Sequence, residues 1–171
     1  ERSMAAAVIT STIPGIAFYF DGQCEGKKIK LPVQLGREPE EKQDEKINEF
    51  YRNLFKITKV NIFRNGSWKL LEAARVSDND FSYENLLAWE WRLENELRIV
   101  VVNYSNSTSR CRLKFDLRST GDEVVLSDIL NNTVYKRSLK EISEKGLFVE
   151  LKSFNSHIFA FNEAKSQQIL H

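Results

Sequence analysis

Long apolar runs are missing from this 171-residue sequence. No stretch approaches the about 20 apolar residues that cross a bilayer, and the N-terminus lacks the basic-then-apolar order of a secretory signal. Charge of one sign is missing too. The 25 Lys and Arg residues nearly balance 24 Asp and Glu, leaving a formal charge of +1. No single-sign field therefore attracts nucleic acid or an anionic membrane, and neither is expected as a partner. Cysteine and histidine are scarce. Cys24 and Cys111 lie far apart, and the two histidines, His157 and His171, are both at the far end, in no spacing that would hold zinc. Free thiols, no metal and no cofactor are expected, in a cytoplasmic setting. The first residue is Glu1 and the only methionine is Met4, so the chain is expected to begin inside a longer protein or else to have been extended at an authentic start.

What is present is the balance of a globular protein, 42% apolar and 29% charged. The length suits one ordinary domain, or a small domain joined to a piece of another. The texture changes along the chain in favour of the second arrangement. Residues 3–11 are rich in alanine and small apolar side chains, as in a packed helix, and run into Pro14-Gly15, which stops helices. Ile16-Ala17-Phe18-Tyr19-Phe20 is a continuous apolar run closed by Asp21-Gly22, the form of a strand covered on both faces. After a polar loop with Pro32, Gly36 and Pro39, residues 40–57 place Ile47, Phe50, Tyr51, Leu54 and Phe55 on one helical face. Acidic residues lead that segment and basic residues end it, which suits the helix dipole.

From about Val60 the pattern becomes that of short strands separated by polar turns. Leu87, Trp89, Trp91 and Leu93 alternate with Ala88, Glu90 and Arg92, and a turn at Glu94-Asn95-Glu96 leads into the β-branched run 97–102. That pair predicts a hairpin. Further strands are predicted at 111–117, 123–126, 133–137, 146–151 and 157–161, a spacing that suits an antiparallel sandwich.

The order of helix, Pro14-Gly15, aromatic strand, Gly22-Gln23-Cys24-Glu25-Gly26, loop, amphipathic helix and β domain resembles the C-terminal portion of the α-amylase family of glycoside hydrolases. Leu31-Pro32-Val33-Gln34-Leu35-Gly36-Arg37, Asn65-Gly66-Ser67-Trp68, Val100-Val101-Val102-Asn103-Tyr104-Ser105 and Gly146-Leu147-Phe148-Val149-Glu150-Leu151 extend the likeness to about Phe161. Ala17, where many relatives carry proline, and Gln23 depart from it. The resemblance implies an α+β fold class: strand 8 and helix 8 of a (β/α)8 barrel, then an antiparallel Greek-key β-sandwich. The units expected are 1–59 for the end of the barrel, 60–162 for the β domain and 163–171 for a tail.

The resemblance also implies what is absent. The family hydrolyses or transfers α-linked glucans with a carboxylate nucleophile, a carboxylic acid and a third aspartate, on barrel strands that would precede Glu1. No catalytic residue is therefore expected here. The partners implied are the missing N-terminal barrel portion and, through it, an α-glucan substrate. The open strand is expected to join copies of the chain into a homo-oligomer through residues 13–20, or else to be covered within one chain by the amphipathic helix and the sandwich.

Asp21, Gln23 and Glu25 would lie at the C-terminal face of a barrel, where such enzymes bind substrate. They are substrate-binding candidates, or else they cap the loop by hydrogen bonding to backbone amides. As a glycosidase acid pair, Asp21 and Glu25 lack the surrounding loops that such a pair needs. Trp89 and Trp91 are expected in the core, while Trp68, beside a turn, is the better candidate for exposure and sugar stacking. His157 is expected to be structural, and the Asn-x-Ser/Thr triplets at 65, 103, 106 and 131 to be turn asparagines. A carbohydrate-binding module or a purely structural β domain remains the alternative.

Overall fold

The computed structural model describes residues 1–29, 36, 37 and 39–162. Pro32, the 31–35 part of the expected motif and the 163–171 tail lie outside them.

Helix α1 spans Arg2–Thr12, carried by the strong helix propensity of its central alanines. It ends where Pro14 bars Ile13 from helical backbone angles; Ile13 is extended at φ −90°, ψ 159°. Residues 16–20 follow, but as coil. The strand expected there has no ladder, because no neighbouring strand lies beside it among the described residues.

Helix α2 spans Glu45–Thr58. It begins five residues later than the apolar pattern suggested, because Asp44 takes the N-cap and accepts from the Ile47 amide. Its buried face is also rotated: Asn48, Tyr51, Leu54 and Ile57 are inside, while Phe55 is exposed. A short helix α3, Ile62–Asn65, was not foreseen. It ends at Gly66, where a Cβ would sit 2.4 Å from the Ile62 carbonyl oxygen.

The β elements are β1 (Ser67–Leu71), β2 (Ala73–Ala74), β3 (Leu86–Leu93), β4 (Glu96–Asn103), β5 (Ser109–Leu113), β6 (Glu123–Asp128) and β7 (Thr133–Ser138), then helix α4 (Leu139–Lys145), β8 (Leu147–Leu151) and β9 (Ser156–Asn162). They form a six-stranded sheet, β1-β3-β4-β9-β6-β7, and a three-stranded sheet, β2-β5-β8. Every pairing is antiparallel. The β3–β4 hairpin is the one expected, and Glu94 at φ +53° makes its turn. The strand expected at 111–117 is displaced to Ser109–Leu113. Its ladder stops at Leu113 because the partner strand starts only at Leu147, after Gly146 at φ +85°.

The strict alternation of β3 and β4 divides the apolar side chains between two cores. Leu86, Ala88, Leu97, Ile99 and Val101 face the small sheet and pack with Leu113, Leu147 and Val149. Trp89, Trp91, Val100, Val102 and Ile158 face the opposite way and pack beneath Ala5, Val8, Tyr51 and Leu54 of α1 and α2. Both tryptophans are buried as expected, yet against helices rather than against the other sheet. The six-stranded sheet is thus the middle layer of three. Asn103 is buried, its amide donating to the carbonyls of Ser107, Leu151 and Lys152, so that triplet does hold a turn.

Candidate functional site

The segment between the unpaired apolar run and α2 is a tight loop built on two glycines. Gly22 and Gly26 have φ of +80° and +71°, angles that L side chains rarely adopt. A Cβ on Gly26 would lie 2.8 Å from Cβ of Asp44, so the loop also demands the small residue for space. The Gln23 amide donates to the Phe20 carbonyl, the Gly26 amide to that of Gln23, and the Lys27 amide to that of Gly22. A second tie closes the loop onto α2, where the Asp44 amide donates to the Glu25 carbonyl at 2.9 Å.

Gln23 faces inward. Its side-chain oxygen accepts from the Phe20 amide at 3.3 Å, and its nitrogen donates to the Tyr51 hydroxyl at 2.8 Å. The loop-capping role weighed for these residues is therefore met by Gln23. Asp21 is exposed and Glu25 half-buried, and neither carboxylate has a hydrogen bond or ion pair among the described residues. Of the three, Gln23 is the one that holds the loop in place.

Below the loop, the Tyr19 hydroxyl and Ser11 Oγ lie 2.6 Å apart, and the Tyr19 ring meets Tyr51 and Phe55 edge-on at 6.1 and 5.1 Å. Tyr51 was legible only as part of an apolar helix face; its role as partner of Gln23 had no signal in the sequence. Burial pushes the Tyr51 hydroxyl above its ordinary pKa, against the opposing hydrogen bond from Gln23. Burial, then the Glu25 charge, raises the Cys24 thiol likewise. Cys111 in the core is pushed to about 12 by burial, and both cysteines are free.

Tyr19 fixes one side of the extended run and leaves the other bare. Ile16, Phe18 and Phe20 are 100%, 75% and 68% exposed. Covering each such side chain contributes about 1.5–3 kcal/mol, a gain this arrangement forgoes.

The other candidates are dispersed. Trp68 is partly exposed on β1, opposite Trp91. His157 is on β9, its Nδ1 2.5 Å from the buried Asp128 Oδ2, with Asn131 donating to the same oxygen at 2.6 Å. It is the structural histidine expected, and Asp128 is the partner that sequence reading missed. Among the described residues no group of three or more His, Cys, Asp or Glu gathers as a metal site. No described helix is long and apolar enough to cross a membrane.

No family model matches the sequence, and no curated protein matches it. Solved structures do match. A maltogenic α-amylase, AmyB from Thermotoga neapolitana, superposes with a TM-score of 0.70 over 96% of this chain and 37% of its own, at 19% identity. An Anoxybacillus α-amylase gives 0.71 over 96% and 33%, at 14% identity. The α-amylase of Geobacillus thermoleovorans gives 0.70 over 94% and 33%, at 15% identity. This is the fold of about a third of an α-amylase chain. At such identities the likeness is one of fold, and the chain spans little more than a third of the structures it matches.

Proposed function

We propose that the chain is the C-terminal third of an α-amylase-family enzyme acting on α-linked glucans. Residues 1–59 end its (β/α)8 barrel with the last strand and helix, and residues 60–162 form its Greek-key β-sandwich. The chain stabilises the barrel and completes the rim of the sugar cleft, and it is not catalytic alone. The observation that carries this reading is the superposition of nearly the whole chain on three α-amylases, together with an extended apolar run at residues 16–20 that has no strand beside it among the described residues. An apolar run with open edges is what a barrel strand becomes when its neighbours lie elsewhere in the polypeptide. Neighbouring structures of the Geobacillus enzyme with acarbose and of AmyP with maltose support an α-glucan as the parent's substrate.

In the parent, Asp21 and Glu25 lie on the rim and hydrogen-bond glucan hydroxyls, while Gln23 positions their loop through Tyr51. A free carbohydrate-binding module fits less well. Trp89 and Trp91 are buried, which leaves Trp68 without a second indole to form a stacking plane.

The test is to read the frame upstream of Glu1 and express the longer polypeptide. It should carry three carboxylates on barrel strands and hydrolyse or transfer maltodextrin, while the 171-residue chain does neither. Turnover by the 171-residue chain that survived repurification and vanished on Glu25→Gln would overturn the reading.

A further inference from the structure

Six strands face three, so the small sheet leaves part of the large one uncovered. On the side turned away from α1 and α2, β2 and β5 lie against β3, and α4 packs against β6. The inner face of β7 is left beside the open edge of β8. Tyr135 and Arg137 are on that face, because they pair with Leu126 and Val124 of the core. His157 and Phe159 continue it on β9, their rings stacked at 4.9 Å. With Phe148 and Glu150 of β8 they line a crevice of about 120 Å³, which adjoins a second of about 290 Å³ at Arg137 and Phe148.

Three side chains in this crevice have hydrogen-bonding capacity to spare. The Tyr135 hydroxyl and His157 Nε2 make no hydrogen bond among the described residues. Arg137 has no ion pair among them, and its Nη1 donates only to the neighbouring Lys136 carbonyl. The carboxylates at the border are committed elsewhere, Glu150 to Arg110 at 3.4 Å and Glu141 to Arg112 at 2.7 Å. Arg137 is therefore a cation without a compensating carboxylate. His157 is oriented by its other nitrogen: Nδ1 lies 2.5 Å from Oδ2 of Asp128, whose side chain is fully buried, so Nδ1–H donates there and Nε2 is left over. A second proton on Nε2 makes the ring a cationic donor, with the Asp128 carboxylate balancing its charge from behind. Tyr135 sits between the two, its ring 5.3 Å from the Arg137 guanidinium carbon and 6.0 Å from the His157 ring.

We infer that Tyr135, Arg137 and His157 form a binding site for the carboxylate or phosphate group of a small organic anion, with Phe148 and Leu147 meeting its apolar part. Such a group accepts hydrogen bonds and donates none, and a guanidinium matches its planar or tetrahedral oxygens with paired donors. The three side chains offer it a guanidinium, a hydroxyl and an imidazolium. A glucan fits less well, since Arg137 covers the Tyr135 ring and Arg112 the Phe148 ring, at 5.3 and 5.2 Å, which leaves no pair of open faces for a sugar to stack on. The crevice is on the side of the sheet away from α1 and α2, and the inference does not depend on the function proposed above.

Amide chemical shifts of residues 134–138 and 157 test it in the 171-residue chain. The probes are sodium benzoate, phenyl phosphate, inorganic phosphate and maltotriose, with ionic strength held constant by sodium chloride. Benzoate keeps its charge between pH 6 and pH 8, so the pH dependence of its binding reports the protein. It should saturate at pH 6 and bind at least about fivefold more weakly at pH 8, where the second ring proton is gone. Arg137→Gln should weaken binding at least about tenfold and Tyr135→Phe about threefold, the spectra remaining those of the folded chain. Lys136→Gln removes the same charge from the opposite face of β7 and should leave binding unchanged. Tighter binding of benzoate or of phenyl phosphate identifies which oxyanion the site takes, and either supports the proposal. No saturable shift with any of the three anions overturns it, as does an equal loss in Lys136→Gln and Arg137→Gln. Saturation by maltotriose alone assigns the crevice to a sugar and overturns it too.

Discussion

The indole N–H groups of Trp89 and Trp91 donate to one acceptor, the Thr12 carbonyl oxygen, at 3.0 and 2.6 Å. That carbonyl ends α1 and has no helical partner, and it carries the negative end of the helix dipole. Two donors on one sheet face thus satisfy the helix end and fix the angle at which residues 1–12 lie on the sheet. They also direct the chain into Pro14 and the extended run beyond.

Trp89→Ala should destabilise the protein by about 3–5 kcal/mol, the range for emptying a buried aromatic site. Trp89→Phe should cost less, because the remaining Trp91 donor still satisfies Thr12. The denaturant midpoint checks both, and a midpoint unchanged by Trp89→Ala would contradict the burial described.

The Asp128–His157 pair predicts a dependence on pH. Burial alone would raise the Asp128 pKa, but hydrogen bonds from His157, Asn131 and the Ile158 amide outweigh it and hold the carboxyl below its usual range. A carboxylate depressed in the folded state contributes stability that is present above its unfolded pKa of about 3.9 and is lost as pH falls through the lower folded value. Wild type should therefore exceed Asp128→Asn in stability by about 1.5–3 kcal/mol at pH 6, and the gap should narrow below about pH 4. Chemical denaturation across that range tests it; a gap independent of pH would contradict the assignment.

Gly26→Ala should destabilise by about 1–3 kcal/mol, because it combines a positive φ with a Cβ 2.8 Å from Asp44. Gly36→Ala is the control, with nothing within 4 Å and no positive φ. Equal melting temperatures for the two variants would contradict this account of the loop.

The bare row of Ile16, Phe18 and Phe20 should make the isolated chain associate weakly as concentration rises, and Phe18→Lys should reduce that association. Light scattering over a dilution series reads it. A monomer at every concentration, unchanged by Phe18→Lys, would show that the open run does not self-pair.

Much of this was legible in the residues. The β3–β4 hairpin followed from strict alternation, and helix α2 from its 3.6-residue apolar period. Its start was misplaced because Asp44 could be read either as a first-turn acid or as the cap, and only the chain beyond it decides. Alternation also marked Trp89 and Trp91 as buried, but period alone does not say which layer covers a face. Short elements such as α3 and β2 carry too few residues for any period to register. Gln23, Asp21 and Glu25 were singled out together, yet the inward turn of Gln23 depends on Tyr51, 28 residues away. A contact of that range has no local signature.

The central claim is that residues 16–20 form the last strand of a barrel whose other strands lie in the parent polypeptide. Amide hydrogen exchange at residues 16–20 tests it most directly, measured in the 171-residue chain and again in the polypeptide extended through its upstream reading frame. Exchange should be fast in the former, where the run has no ladder, and at least about a hundredfold slower in the latter, where strands on both sides protect it. Equally fast exchange in both would contradict the account.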